Sequence, residues 1–177
     1  MKRFKIPDRS ELTSDNQVIY DKVKSQIGFV PNIYAYLAKH PTALSDYLQF
    51  IGRVSTLNSK EREAISLIVS EINGCSYCQA AHTALGKLNG FTDDEIHLIR
   101  KNKVTFNEKL NALVNMASSL TVNRGKPSAE SLDTFFKAGY TEENFIDVAF
   151  GVADKVITNF LARTAEVEID FPAVSVL

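Results

Sequence analysis

Apolar residues recur along this chain at intervals of three and four rather than in alternation, the pattern of helices that bury one face. Val18, Ile19, Val23 and Ile27 form the first such stripe, with Ser14 or Asp15 placed to cap its start and Gly28 placed to end it. After the turn at Val30-Pro31-Asn32, two short helices are predicted, Ile33 to Lys39 and Thr42 to about Arg53, divided by His40-Pro41. Asn58 with Glu61 three residues on reads as a variant capping box. It opens a helix through Ile65, Leu67, Ile68 and Val69 that stops at Asn73-Gly74. The next helix starts at about Ser76 and runs through Ala80, Ala81, Ala84, Leu85 and Leu88 to Gly90. Thr92 and Glu95 box a short helix, and three more are predicted over Asn107 to Val122, Ser128 to Ala138 and Thr141 to Ala165. The ending EVEIDFPAVSVL, apolar and containing proline, reads as an extended arm packed on this chain or a neighbour. The fold class expected is all-α. With no repeat, low-complexity tract or linker, residues 1–177 are expected to form a single domain.

Composition narrows the partners more than the fold. A chain of 177 residues, 45% hydrophobic and 23% charged, can bury a core without disulfide staples or structural metal. The 20 basic and 21 acidic residues are interspersed, for a net charge of −1, which leaves no electrostatic footprint for nucleic acid or an anionic membrane. The start, MKRFKIPDRS, is basic but leads into no apolar signal core, and no window is long and apolar enough to span a membrane. A cytoplasmic protein acting on a small, uncharged or mildly polar partner is expected. The two cysteines, Cys75 and Cys78, cannot build a secretory disulfide framework, and in a reducing compartment such a pair is more often catalytic or metal-binding.

Gly74 ends one predicted helix, Cys75 lies at the junction and Cys78 falls in the first turn of the next. Unpaired N–H groups at a helix start favour an anion, so a thiol there loses its proton more readily. Positions three apart share a helix face, and the loop between the sulfurs is short, so a bond between them suits a cycle better than a staple. His82, one turn beyond Cys78 on the same face, can take or return the thiol proton near neutral pH. A carboxylate usually orients such a base. Glu71 is nearer in sequence; Glu63 and His82 come at comparable distances from the Gly74 break, if the helices fold back on one another. The hairpin argument leans toward Glu63 without deciding. Two rival readings stay open at this point: a pair of inert buried cysteines, and a zinc site using Cys75, Cys78, His82 and Glu63. Covalent haem is disfavoured because Gln79 follows Cys78, and a thioredoxin fold because no strand–helix–strand pattern surrounds the pair. His40 and His97 read as solvated or capping residues, and Tyr77 as a packing residue that also suits a pocket wall. Phe135, Phe136, Phe145, Phe150 and Phe160 read as core or subunit contacts.

The stretch EAISLIVSEINGCSYCQAAH, Glu63 to His82, resembles the alkylhydroperoxidase D-like proteins of the carboxymuconolactone decarboxylase superfamily. The shared features are a glutamate twelve residues before the first cysteine, the Asn-Gly, the Cys-x-x-Cys pair and the histidine four residues after it. GFVPNIYAYLAKHPTAL, FKAGYTEENFIDV and ITNFLARTAEVEIDFP are similar to peroxidase-related members, so the resemblance covers nearly the whole chain. It implies an all-helical, usually oligomeric fold and a thiol-dependent peroxidase that reduces a small hydroperoxide, needs no cofactor or metal, and is re-reduced by an external dithiol. It also implies roles: Glu63 and His82 as a proton relay, Cys78 as the attacking thiol, Cys75 as the resolving one. One position departs, since Tyr77 stands between the cysteines where the family's best-known peroxidase has a histidine. The alternatives kept beside it are a non-enzymatic redox-sensing or metal-binding helical protein and, suggested by the superfamily name, a lactone decarboxylase.

Overall fold

The computed structural model describes residues 4–175 and 177; Met1 to Arg3 of the basic start and Val176 of the C-terminal arm lie outside them. Among the described residues the regular structure is helical throughout. A single 3₁₀ turn, Arg9–Glu11, precedes α1 (Ser14–Ile27), α2 (Asn32–Leu37), α3 (Ala43–Ile51), α4 (Ser59–Ile72), α5 (Ser76–Leu88), α6 (Asp93–Arg100), α7 (Glu108–Val122), α8 (Ala129–Lys137) and α9 (Glu142–Thr164).

The caps explain where the helices begin. Asn58 and Glu61 form the expected box at the start of α4, as Thr92 and Glu95 do for α6. At α1 the cap is Thr13, one residue before the expected Ser14 or Asp15: its extended backbone lets Oγ1 accept from the N–H of Asn16. Ser14 and Asp15 are therefore already helical.

Helix α4 is the centre of the molecule. Every residue from Ala64 to Ser70 is buried, which requires neighbours all round: α5, α6, α7 and α9 all pack against it. Its Leu67, Ile68 and Val69 join Leu113, Val114, Met116, Phe135 and Val148 in the main core. Helix α9 passes so close that a Cβ on Gly151 would stand 3.0 Å from Ile65 Cγ2. Of the phenylalanines expected to be core or contacts, Phe135 is fully buried against Tyr140, Phe145 is partly buried, and Phe136, Phe150 and Phe160 are exposed.

A second cluster forms around the cysteines, where Cys75, Tyr77 and Cys78 pack on Ile33 of α2 and on Ala162, Ala165 and Val167. The C-terminal arm is extended, as expected, and lies on this chain: Asp170 accepts from the N–H of Asn32 at 2.7 Å, and the Phe171 ring meets those of Tyr77 and Phe29 edge-on.

Candidate functional site

The junction between α4 and α5 is built from three residues. Asn73 closes α4, and Gly74 takes φ +64°, a backbone that a side chain would strain. The N–H groups of Gly74 and Cys75 then bond back to the carbonyls of Glu71 and Ser70, the paired closure of a Schellman turn. The chain reverses, and Cys75 becomes the N-cap of α5, its sulfur accepting from the Cys78 N–H at 3.2 Å. Asn73 Nδ2 donates to Asn159 Oδ1 at 2.8 Å and Asn159 Nδ2 to Ser70 Oγ at 3.3 Å, which ties the turn to α9.

Cys75 and Cys78 are joined as a disulfide, their Cα atoms 5.3 Å apart. Cys75 is fully buried, whereas Cys78, 3% exposed, lines a cavity of about 190 Å³. Ile33, Tyr34, Tyr47, Tyr77, Leu85 and Phe171 supply most of its apolar and aromatic wall; His82, Lys155 and Thr158 supply the polar part.

The hairpin brings Glu63 to His82. Glu63 Oε2 lies 2.8 Å from His82 Nδ1, with both side chains largely shielded. Glu71 points elsewhere: Oε2 accepts from Nε of buried Arg100 at 2.7 Å, so this carboxylate holds α6 rather than touching the thiols. Of the two candidates, the structure places Glu63 alone on the imidazole. His40 Nδ1 accepts from the Thr42 N–H, a capping position as expected, and His97 lies on α6 away from the cysteines.

Four polar groups around the imidazole were not anticipated. Lys155, 3% exposed, places Nζ 2.6 Å from His82 Nε2 and 3.2 Å from Asp154 Oδ2. Tyr47 donates its hydroxyl to Asp154 Oδ1 at 2.7 Å, and Tyr34 packs edge-on against Tyr47. Burial, with Asp154 and Glu63 adding to it, pushes the Tyr34 phenol up to about 12; burial raises Tyr47 and Tyr77 as well. All three phenols are therefore neutral at physiological pH. Lys155 stands in the stretch GVADKVITNF, and its signal was an Asp-Lys pair, Asp154 and Lys155, set in an otherwise apolar run. That pattern does not reveal which helix lies across α9. Both ring nitrogens of His82 are engaged, by Glu63 and Lys155, which leaves the zinc reading without its histidine ligand.

Residues 38–119, which contain the hairpin, match the model of the carboxymuconolactone decarboxylase family. A protein of Bacillus subtilis (strain 168), the uncharacterized protein YdfG, is 27% identical over 96 residues, covering 53% of this chain and 65% of the relative; the chain thus spans just under two thirds of that relative's length. Among solved structures, an alkylhydroperoxidase AhpD core described as an uncharacterized peroxidase-related protein, from Ralstonia eutropha JMP134, superposes with a TM-score of 0.85 at 22% identity, over 95% of this chain and 92% of that one. The debrominase Bmp8 superposes with a TM-score of 0.80 at 18% identity, over 96% and 93%. The family's model thus matches the segment that carries the cysteines, and the fold over nearly the whole chain is that of the AhpD-like structures.

Proposed function

We infer that the protein is a thiol-dependent peroxidase in which Cys75 and Cys78 cycle between dithiol and disulfide, with Glu63 and His82 handling the thiol proton. The observation that carries this reading is the cavity: it opens on Cys78, and the paired Glu63 and His82 stand at its polar end. The Cys78 thiolate attacks the outer peroxide oxygen; the O–O bond breaks, an S–O bond forms, and the departing alkoxide takes a proton to leave as an alcohol. The Cys75 thiol then displaces water from the sulfenic acid and closes the disulfide, and an external dithiol restores both thiols by exchange. The apolar and aromatic wall favours a small organic hydroperoxide over hydrogen peroxide. A cycle that needs re-reduction at each turnover fits the cytoplasm. The exposed Ile146, Phe150, Val156, Ile157 and Phe160 on α9, the last 56% exposed, support a homo-oligomer.

The test is consumption of cumene hydroperoxide with dithiothreitol as reductant, in the parent and in Cys78→Ser. The parent turns over and the variant does not; a parent whose thiols ignore the peroxide, or a variant that keeps turnover, overturns the assignment. A second reading is reductive dehalogenation, favoured by the aromatic wall together with the fold shared with the debrominase. There the carbon–bromine bond breaks, hydrogen replaces bromine, bromide leaves and the same disulfide forms. Bromide release from a brominated pyrrole, with no peroxide consumption, would select it.

A further inference from the structure

A buried lysine needs a partner, because an ammonium stripped of water is costly unless paired. Lys155 has two partners, the neighbouring Asp154 and the imidazole of His82. The contact with the imidazole, nitrogen to nitrogen at 2.6 Å, is restrictive. An ammonium only donates, and an imidazolium only donates, so a hydrogen bond between them requires that at most one of the two be charged. On the other side of the ring, the Glu63 carboxylate accepts at Nδ1. The proton of the neutral ring is thereby placed on Nδ1, and the Nε2 lone pair is turned to Lys155.

This arrangement changes what His82 can do. Its single accepting nitrogen is already occupied by the lysine, so the thiolate left when Cys78 loses its proton shares its cavity with the lysine–histidine pair as a unit rather than with the imidazole alone. Around the pair stand Glu63 from α4, Asp154 from α9, Tyr47 from α3, Tyr34 from α2, and Tyr77 with Cys78 from α5. The three phenols are neutral, so the charged groups facing the one shared cation are two carboxylates.

We propose that Lys155 is a positioning residue of the relay: it holds His82 in the Nδ1–H tautomer and shares with it the single positive charge that stabilises the Cys78 thiolate. The proposal rests on the reading of Cys78 as the working thiol. In the proton step the S–H bond of Cys78 breaks and its proton leaves through the relay to solvent; the pair keeps its one positive charge while the sulfur becomes anionic beside it. No electrons move until an oxidant arrives.

Two measurements test it, and neither uses peroxide. The first is nitrogen NMR of the reduced parent labelled with ¹⁵N-histidine, with His82→Asn to assign the signals. The Nδ1–H tautomer is expected for His82, and the Nε2–H tautomer overturns the proposal without any change at Lys155. The second is the pH profile of Cys78 alkylation by iodoacetamide in reduced protein, resolved by mass spectrometry, for the parent, Lys155→Met and Lys155→Arg. In Lys155→Met the midpoint moves about one pH unit alkaline, so that alkylation at pH 7 slows about tenfold. Lys155→Arg, which keeps a cation and a donor toward Nε2, recovers most of the rate. Superimposable profiles for parent and methionine variant, or an arginine variant as slow as the methionine one, overturn it. Should Lys155→Met not fold, the tautomer of the parent and the arginine profile decide. A protein that meets both expectations yet consumes no hydroperoxide keeps this inference and loses the peroxidase reading.

Discussion

Asp147 offers a stability prediction with a clear sign. Its side chain, on α9 two turns before Lys155, is almost fully buried. It is bonded by the Arg53 guanidinium and, at 2.6 and 2.7 Å, by the N–H and hydroxyl of Thr56. Burial alone pushes the carboxyl up, but the hydrogen bonds from Thr56 and Arg53 outweigh it and hold the carboxyl at about 2, against an ordinary 3.8. At about 1.4 kcal/mol per tenfold change in proton affinity, that difference makes the ionised carboxylate worth roughly 2.5 kcal/mol of folding free energy. Because the folded value is the lower one, this contribution is fully present above pH 3.8 and fades as the pH falls toward 2. Roughly half of it remains at pH 3. Asp147→Asn keeps the shape and removes the charge. At pH 7 the variant should lose about 2 to 3 kcal/mol in urea unfolding followed by circular dichroism, and its Tm should fall by about 5–10 °C for a chain of this size. The gap between parent and variant should shrink by about half when the titration is repeated at pH 3. A gap that stays constant from pH 7 to pH 3, or lies below about 0.5 kcal/mol throughout, would show that the carboxylate is not held as described.

The remaining predictions address the hairpin and the core. Glu63→Gln leaves an acceptor for His82 Nδ1 but removes its charge; the charged bond is the stronger by about 1–2 kcal/mol, so alkylation of reduced Cys78 at pH 7 should slow about tenfold with the thermal midpoint little changed, and an unaltered rate would remove Glu63 from the relay. Phe135→Ala empties a fully buried site stacked on Tyr140 at 4.6 Å and should cost about 3–5 kcal/mol in urea unfolding; a cost below about 1 kcal/mol would mean that the core collapses freely into the space. Gly151→Ala places a methyl 3.0 Å from Ile65 Cγ2; overpacking between α4 and α9 of about 1–3 kcal/mol outweighs the roughly 0.5–1 kcal/mol that alanine gains inside a helix, so a net loss is expected in urea unfolding, and a variant more stable than the parent would refute the reasoning.

Caps and periodicity made the helices legible because both act within a few residues. Asn58 with Glu61 and Thr92 with Glu95 needed no knowledge of the rest of the chain. At α1, three neighbouring residues could each cap, and the choice of Thr13 depended on a backbone angle that composition does not specify. The hairpin was legible in part: Gly74 announced the reversal, and counting from it favoured Glu63. What excluded Glu71 was Arg100, on a different helix, and nothing in the local pattern linked those two residues. Lys155 was hidden for the same reason. Which face of α9 is buried depends on α4 and α5 lying across it, and a lysine beside an aspartate reads as solvated until that packing is known.

Tyr77, the residue that stands between the two cysteines, also accepts a hydrogen bond through its hydroxyl from the N–H of Ile33, at the start of α2, at 3.3 Å. Ile33 and Tyr34 belong to the cavity wall, and so does the Tyr77 ring. One side chain is therefore both the spacer inside the motif and a strut of the chamber in front of it. Replacing Tyr77 with histidine to ask whether thiol activation improves would also release that strut and remodel the space the substrate enters. Tyr77→Phe, which keeps the ring and drops the acceptor, is the control that separates a change in reactivity from a change in the shape of the container.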